Sequence, residues 1–160
     1  MMNGKEMIQF KTGDIFNSDM ETLINPCNCV GIAGAGLSLE FKKRYPESHK
    51  YYLVWSNDKP KPGTSFSFCR ELEKDPKTNK MHNVICLPTK DHWKDPSKLE
   101  YVEASLALFC AMYKALKITS VAFPALGCGL GSLSWQEIEP IMLKYLEKLE
   151  IPVEIYKPFI

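Results

Sequence analysis

The 160-residue chain has no apolar stretch approaching the about 18–20 residues that a helix needs to cross a bilayer, so no membrane span is expected. Its opening, Met1-Met2-Asn3-Gly4-Lys5-Glu6, lacks the apolar run of a signal peptide, which makes a cytoplasmic chain the expectation. Charge of one sign is also missing. Twenty Lys and Arg against nineteen Asp and Glu leave a formal net charge of +1, which excludes a protein that holds nucleic acid mainly by bulk charge. The six cysteines do not form the paired C-x₂₋₄-C units of a zinc site, and no matching His pair exists. A disulfide scaffold belongs to much shorter secreted chains, so buried reduced thiols and no metal are expected. Repeats, low-complexity tracts and long linkers are absent too. With 45% hydrophobic residues, the chain can build a real core, and residues 1–160 read as one domain.

Short apolar runs alternate with helical patterns, the signature of an α/β sheet built from crossover units. Strands are expected at Glu6–Phe10, Thr22–Pro26, Thr64–Cys69, Asn83–Leu87, Ser120–Pro124 and Val153–Tyr156. Leu99, Val102, Leu106, Phe109, Tyr113 and Leu116 form one apolar stripe, preceded by a capping-box pair, Ser97 and Glu100. A second helix follows Ser134, with Glu137 three residues on and Ile138, Ile141, Tyr145 and Leu149 as its buried side. A third runs from about Ala35 to Tyr45 and is expected to stop at Pro46. Asn57–Gly63 reads as a loop and Glu73–Lys80 as a polar turn.

In a parallel sheet the strand C-termini share one edge, where ligands bind. Four strand ends here carry polar or glycine-rich sequence: Thr12–Phe16, Asn28–Gly36, Pro88–Trp93 and Leu126–Leu133. The two glycine loops each run into a helix. Such loops let a ligand approach the main chain, and free N–H groups at a helix start favour an anion. Two of them could grip a diphosphate from both sides; taken singly, each is also a tight strand-to-helix turn. Neither is a Walker loop, because no Gly-Lys-Ser/Thr follows.

The polar residues of this edge each carry two readings. Asp14 can accept from an exocyclic amine such as that of adenine, or bond its own backbone in a turn. Asn28 can bind a sugar hydroxyl or satisfy loop backbone. Lys90, after an apolar strand, can be a partly desolvated amine that acts as nucleophile or proton acceptor, or a solvated surface lysine. His92 and Trp93 can stack on a ring, or Trp93 can cover a helix end. Trp135 reads as packing, His49 and His82 as surface residues without a role, and Lys42-Lys43-Arg44 as a solvated helix face.

Taken together and in order, Gly13-Asp14-Ile15-Phe16, Asn25-Pro26-Cys27-Asn28, the Gly31–Gly36 loop and Pro124-Ala125-Leu126-Gly127-Cys128-Gly129-Leu130-Gly131 resemble a macrodomain over essentially the whole chain. The resemblance implies a three-layer α/β/α domain around a central mixed, mostly parallel sheet, with a pocket for ADP-ribose. It implies Asp14 and Ile15 at the adenine and Asn28 at the distal ribose. The diphosphate would lie between Gly31, Gly34, Ala35 and Gly36 on one side and Leu126, Gly127, Cys128, Gly129, Leu130 and Gly131 on the other. Leu87-Pro88-Thr89-Lys90-Asp91-His92-Trp93-Lys94, followed by Ser97-Lys98-Leu99, is similar to the macrodomain of the DarG-type antitoxins, which remove ADP-ribose from thymidine in DNA. It also resembles the terminal ADP-ribose glycohydrolase class, which cleaves ADP-ribosyl glutamate. Phe41–Pro46 fits both. Each places a lysine of a Thr-Lys pair in the active site, which implies Lys90 as the catalytic residue with Thr89 in the ligand site. The glutamate-directed enzymes carry a catalytic aspartate where this chain has Gly131, a departure that leans toward the DNA-type site. The antitoxins also carry a second domain that these 160 residues do not contain, which weighs against a dedicated toxin-binding role and leaves room for a stand-alone hydrolase.

The resemblance therefore implies an ADP-ribosyl-acceptor hydrolase that removes mono-ADP-ribose through Lys90, needs no cofactor, and works as a monomer. Thymidine in DNA is a candidate acceptor, held locally by Lys90, Lys94 and stacking on Trp93. Two alternatives stand beside it: a module that binds ADP-ribose without turnover, and a hydrolase of small derivatives such as ADP-ribose 1″-phosphate.

Overall fold

A computed structural model describes residues 7–158. Strands β1 (Ile8–Lys11), β2 (Thr22–Cys27), β3 (Ser67–Cys69), β4 (Asn83–Pro88), β5 (Val121–Pro124) and β6 (Val153–Tyr156) form one sheet in the order β1-β6-β5-β2-β4-β3. Every neighbouring pair is parallel except β3 with β4. All six expected strands are present. Glu6 of the first lies outside the described residues, and the third is shorter than expected because Thr64–Phe66 belong to the preceding loop.

Both faces of the sheet are covered, which is why its strands read as nearly continuous apolar runs. Alternate side chains enter opposite layers. Leu23, Val84, Cys86 and Ala122 pack with Ile15, Phe16, Phe41, Tyr45 and Tyr52, on the side of helices α1 (Gly36–Arg44) and α2 (Pro46–Ser56). Ile24, Ile85, Leu87, Val121 and Phe123 pack with Val102, Leu106, Phe109, Ile138 and Met142, on the side of α3 (Leu99–Met112) and α4 (Trp135–Leu146). Phe109 meets Phe123 edge-on, with ring centroids 5.3 Å apart. Truncating Phe109 to alanine would cost about 3–5 kcal/mol. Among the described residues, no helix is long and apolar enough to cross a membrane.

The helices depart from expectation in instructive ways. Pro46 does not simply end α1; it sits at the first turn of α2, where a missing N–H costs nothing, and that helix was not anticipated. The capping box before α3 does not form. The cap residue is Lys98 and contributes no side-chain bond, while the Ser97 hydroxyl turns inward toward Thr89 Oγ1 at 3.5 Å. The α3 stripe continues as expected to Tyr113, but the helix ends at Met112 and Leu116 lies in the turn beyond. In α4 the Ser134 cap is present, its Oγ accepting the Glu137 N–H at 3.2 Å. Its buried side is Ile138, Met142 and Leu146; Ile141 and Tyr145 are only half-buried.

β2 lies between β5 and β4, so three parallel strand ends stand side by side and their following loops meet at one edge. The antiparallel β3 enters from that same edge, since Ser67 pairs with Cys86.

Candidate functional site

Main-chain bonds tie the loops after β2 and β4 together. Thr89 and Lys90 donate their N–H groups to Cys27 O at 2.9 and 3.3 Å, and Cys29 donates to Asp91 O at 3.1 Å. Asn28 is the hub of the first glycine loop. Its amide donates to Ile32 O at 2.8 Å, and its side-chain oxygen accepts from Val30 N–H at 3.1 Å and from Tyr52 Oη at 2.7 Å. The amide oxygen is thus committed to shaping the loop, which favours the backbone-satisfying role over direct contact with a sugar. Tyr52, almost fully buried on α2, supplies that support; its distance in sequence hid it from local pattern reading.

The two glycine loops are not equivalent. Ala35, which precedes α1, is extended and gives no side-chain cap. Among the described residues, the N–H groups of Ala33, Gly34, Ala35 and Gly36 find no protein acceptor, the arrangement an anion would need. At the second loop Ser134 caps the helix start, its Oγ taking the Glu137 N–H. The loop's donors Cys128, Ser132 and Leu133 bond to Ala125 O, Gly129 O and Gly127 O, leaving Gly129, Leu130 and Gly131 without an acceptor among the described residues. The loops touch. Gly36 adopts a φ of +61°, and a Cβ there would lie 3.1 Å from Leu130 Cδ1. Leu130, Val30 and Ile32 are exposed, so the rim of the crevice is apolar. Leu126 is fully buried and Ile15 nearly so; their side chains belong to the core and only their main chain can face a ligand.

Gly131 is buried for a steric reason. A Cβ at this position would press on the Ser97 hydroxyl and come within 2.5 Å of Gly127 O. The Ser97 N–H also donates to Gly131 O at 3.1 Å. No side chain fits here without moving the loop.

Lys90 is half-buried at the junction of these loops, and its Nζ donates to Leu130 O at 3.1 Å. Thr89 beside it is buried. Trp93 is half exposed, with His92 stacked at 5.8 Å and the Lys94 ammonium 5.3 Å from its ring. All six cysteines are free thiols, four of them buried. Burial pushes Cys29 and Cys86 up to about 12 and Cys128 up to about 11, which makes them poor nucleophiles at neutral pH.

Of its two readings, Asp14 shows the turn that bonds its own backbone. Its Oδ1 accepts the Phe16 N–H at 2.9 Å, closing a short 3-10 turn over Ile15–Asn17. Its Oδ2 lies 3.6 Å from Arg44. Arg44 and His82 were expected at the surface, and both are buried. Arg44 turns inward because acidic partners from distant segments await it. His82 lies between the Tyr45 hydroxyl at 2.7 Å and Ser18 O at 2.8 Å. His49 is half-buried rather than exposed, and Trp135 packs against the core as expected. An open groove of about 400 Å³ lined by Tyr51, Val54, Trp55 and Phe66 lies apart from the glycine loops and gathers no catalytic groups.

The family model for the Macro domain matches residues 24–142. The chain is 36% identical over 154 residues to a DNA ADP-ribosyl glycohydrolase of Mycobacterium tuberculosis, covering 95% of this chain and 42% of that protein. It thus spans about two-fifths of the length of that relative. Among solved structures, it resembles the macrodomain of Mycobacterium tuberculosis DarG with a TM-score of 0.84 and 34% identity, covering 95% of this chain and 98% of that one. Thermosipho africanus DarTG in complex with ADP-ribose matches with a TM-score of 0.87 and 35% identity, over 95% of this chain and 42% of that one. The mixed six-stranded sheet, the helices on both its faces and the matched residues agree: this chain belongs to the macrodomain family.

Proposed function

We propose that the protein hydrolyses the bond between the distal ribose of ADP-ribose and a modified acceptor, with a base in DNA as the favoured acceptor. The observation that carries this reading is Lys90, whose ammonium is held by Leu130 O at the junction of two glycine-bearing loops with unused N–H groups. Similarity to DNA ADP-ribosyl glycohydrolases supports the choice of acceptor.

In this reading, Asp14 receives the adenine amine, and the main chain of Ile15 borders the ring. The diphosphate rests on the open turn at Ala33–Gly36 and on the backbone of Gly129–Gly131. Fixed main-chain dipoles hold that charge with no reorganisation at the moment of reaction and need no metal. Asn28 shapes the loop beneath the distal ribose. Cleavage builds positive charge on that sugar, and Lys90 acts at its anomeric carbon: as an amine it displaces the acceptor and water then releases the ribosyl adduct, or as a cation it gives its proton to the departing acceptor while water adds to the anomeric carbon. The site lacks the aspartate of the glutamate-directed enzymes, because position 131 has no room for one. Trp93 and Lys94, exposed beside Lys90, supply a stacking face and a charge for a single strand.

The test is a substrate panel: a single-stranded oligonucleotide carrying ADP-ribosyl-thymidine, a protein carrying ADP-ribosyl-glutamate, and ADP-ribose 1″-phosphate. Turnover of the first above the others is expected. Preference for the phosphate would replace the DNA reading with small-molecule processing, and tight ADP-ribose binding with no turnover on any arm would leave a binding module.

A further inference from the structure

Arg44 ends α1, and only a tenth of its side chain is exposed. Its guanidinium lies over the Phe16 ring, 4.1 Å from the centroid. Around its edge stand three carboxylates: Asp75 Oδ2 at 3.1 Å, Glu40 Oε2 at 3.4 Å and Asp14 Oδ2 at 3.6 Å. Asp75 is completely buried, and its second oxygen accepts the Lys77 N–H at 2.9 Å. The guanidinium is therefore anchored on its face by Phe16 and on its edge by Asp75, and cannot follow Asp14 outward. Asp14 is different. It stands at the ligand edge with its side chain 42% exposed, and its Oδ1 is already taken by Phe16 N–H. Oδ2 is the oxygen left for a ligand, and Arg44 is what holds it in place.

We propose that Arg44 is a specificity-determining residue that, by tethering Asp14, makes the site select a 6-amino purine over a 6-oxo purine. The inference rests on the reading of Asp14 as the adenine contact. A carboxylate accepts hydrogen bonds and donates none. A 6-amino purine presents a donor to Oδ2, whereas a 6-oxo purine presents a second acceptor. A carboxylate free to rotate would turn toward water and tolerate the mismatch. Bonded to the Phe16 N–H and paired at 3.6 Å with an anchored guanidinium, it resists turning away, so more of the mismatch is felt. Arg44 touches no ligand in this scheme; it is a positioning residue. It also links the adenine end to the Glu73–Lys80 turn through Asp75.

The measurement is calorimetric affinity for ADP-ribose and for inosine diphosphate ribose, expressed as a ratio. The wild-type ratio should favour ADP-ribose about tenfold or more. Arg44→Lys keeps the charge but loses the planar fork, and should bring the ratio within about threefold. Asp14→Asn should do the same, and the double variant should go no further than Asp14→Asn alone. If Arg44→Lys lowers both affinities by one factor, Arg44 is only a structural residue and the proposal is overturned. A ratio that moves with Asp14→Asn but not with Arg44→Lys overturns this inference alone; a ratio unmoved by Asp14→Asn removes the adenine placement as well. Should Arg44→Lys fail to fold, the wild-type protein decides the matter by ¹⁵N NMR. The Arg44 guanidinium resonances should shift with ADP-ribose and less with inosine diphosphate ribose, and unmoved resonances overturn the proposal.

Discussion

The ammonium of Lys90 and the main-chain oxygen of Leu130 are joined across 3.1 Å, which couples the segment after β4 to the glycine loop after β5. One hydrogen bond thus links the proposed catalytic group to the proposed diphosphate cradle. A ligand that seats its diphosphate on this loop also sets where the amine stands.

Replacing Lys90 separates binding from chemistry. Lys90→Ala should reduce turnover of the preferred substrate by at least about a thousandfold while ADP-ribose affinity changes by less than about threefold. Lys90→Arg refines the role, because arginine keeps the cation and offers no nucleophilic amine. An arginine variant as inactive as alanine assigns attack to the amine; retained turnover assigns electrostatic assistance. Full activity in Lys90→Ala, read in single-turnover assays, would remove Lys90 from the mechanism.

Gly131 should resist substitution. The resemblance to glutamate-directed hydrolases suggests adding an aspartate here to gain their activity, but a Cβ would meet Ser97 and Gly127 O. Gly131→Asp is expected to lower stability by about 1–3 kcal/mol through overpacking, and to confer no turnover of ADP-ribosyl-glutamate. Denaturant midpoints and the glutamate arm of the substrate panel check both halves. A variant as stable as wild type would mean that the loop has room.

Local signals made the fold and the edge where the glycine loops meet legible. Apolar runs marked all six strands, and glycine clusters after β2 and β5 marked the loops that meet there. What local reading missed depends on partners far apart in the chain. Arg44 looked like part of a basic helix face because Asp75, thirty-one residues on, is what draws it inward. His82 looked exposed because its partners Tyr45 and Ser18 lie on other elements. Pro46 read as a stop, although the same ring geometry also starts a helix. For Asn28 the support for the backbone role comes from Tyr52, on the helix that Pro46 starts, which bonds its oxygen.

Stability should fall on acidification because of His82. Burial holds its pKa below the ordinary imidazole value, with Lys80 acting in the same direction and the Ser18 carbonyl, Glu71 and Asp75 opposing it. Burial and Lys42 depress His49 likewise. The unfolded chain therefore binds protons at a higher pH than the fold does. Their neutral forms leave stability unpenalised above the unfolded pKa of about 6.5, and stability is lost as pH drops below it toward the folded pKa. Each such histidine contributes a slope of at most about 1.4 kcal/mol per pH unit. Melting temperatures should be lower at pH 5.5 than at pH 7.5, and His82→Gln should flatten that difference. An unchanged profile in the variant would place the sensitivity elsewhere.

Contact with DNA, if it is the substrate, must be local, because the chain has a net charge of only +1. Each single-stranded phosphate neutralised by a lysine contributes about −0.7 to the slope of log affinity against log salt. With Lys94 and one or two neighbours engaged, kcat/KM on the ADP-ribosylated oligonucleotide should fall with a slope of about −1 to −2, and that on ADP-ribose 1″-phosphate should fall less. Lys94→Gln should make the slope shallower by about 0.7. Trp93→Ala should cost about tenfold in kcat/KM on the oligonucleotide through lost base stacking, with free ADP-ribose affinity unchanged. Equal salt dependence on the two substrates, together with full activity in both variants, would mean that the strand runs along another face of the molecule.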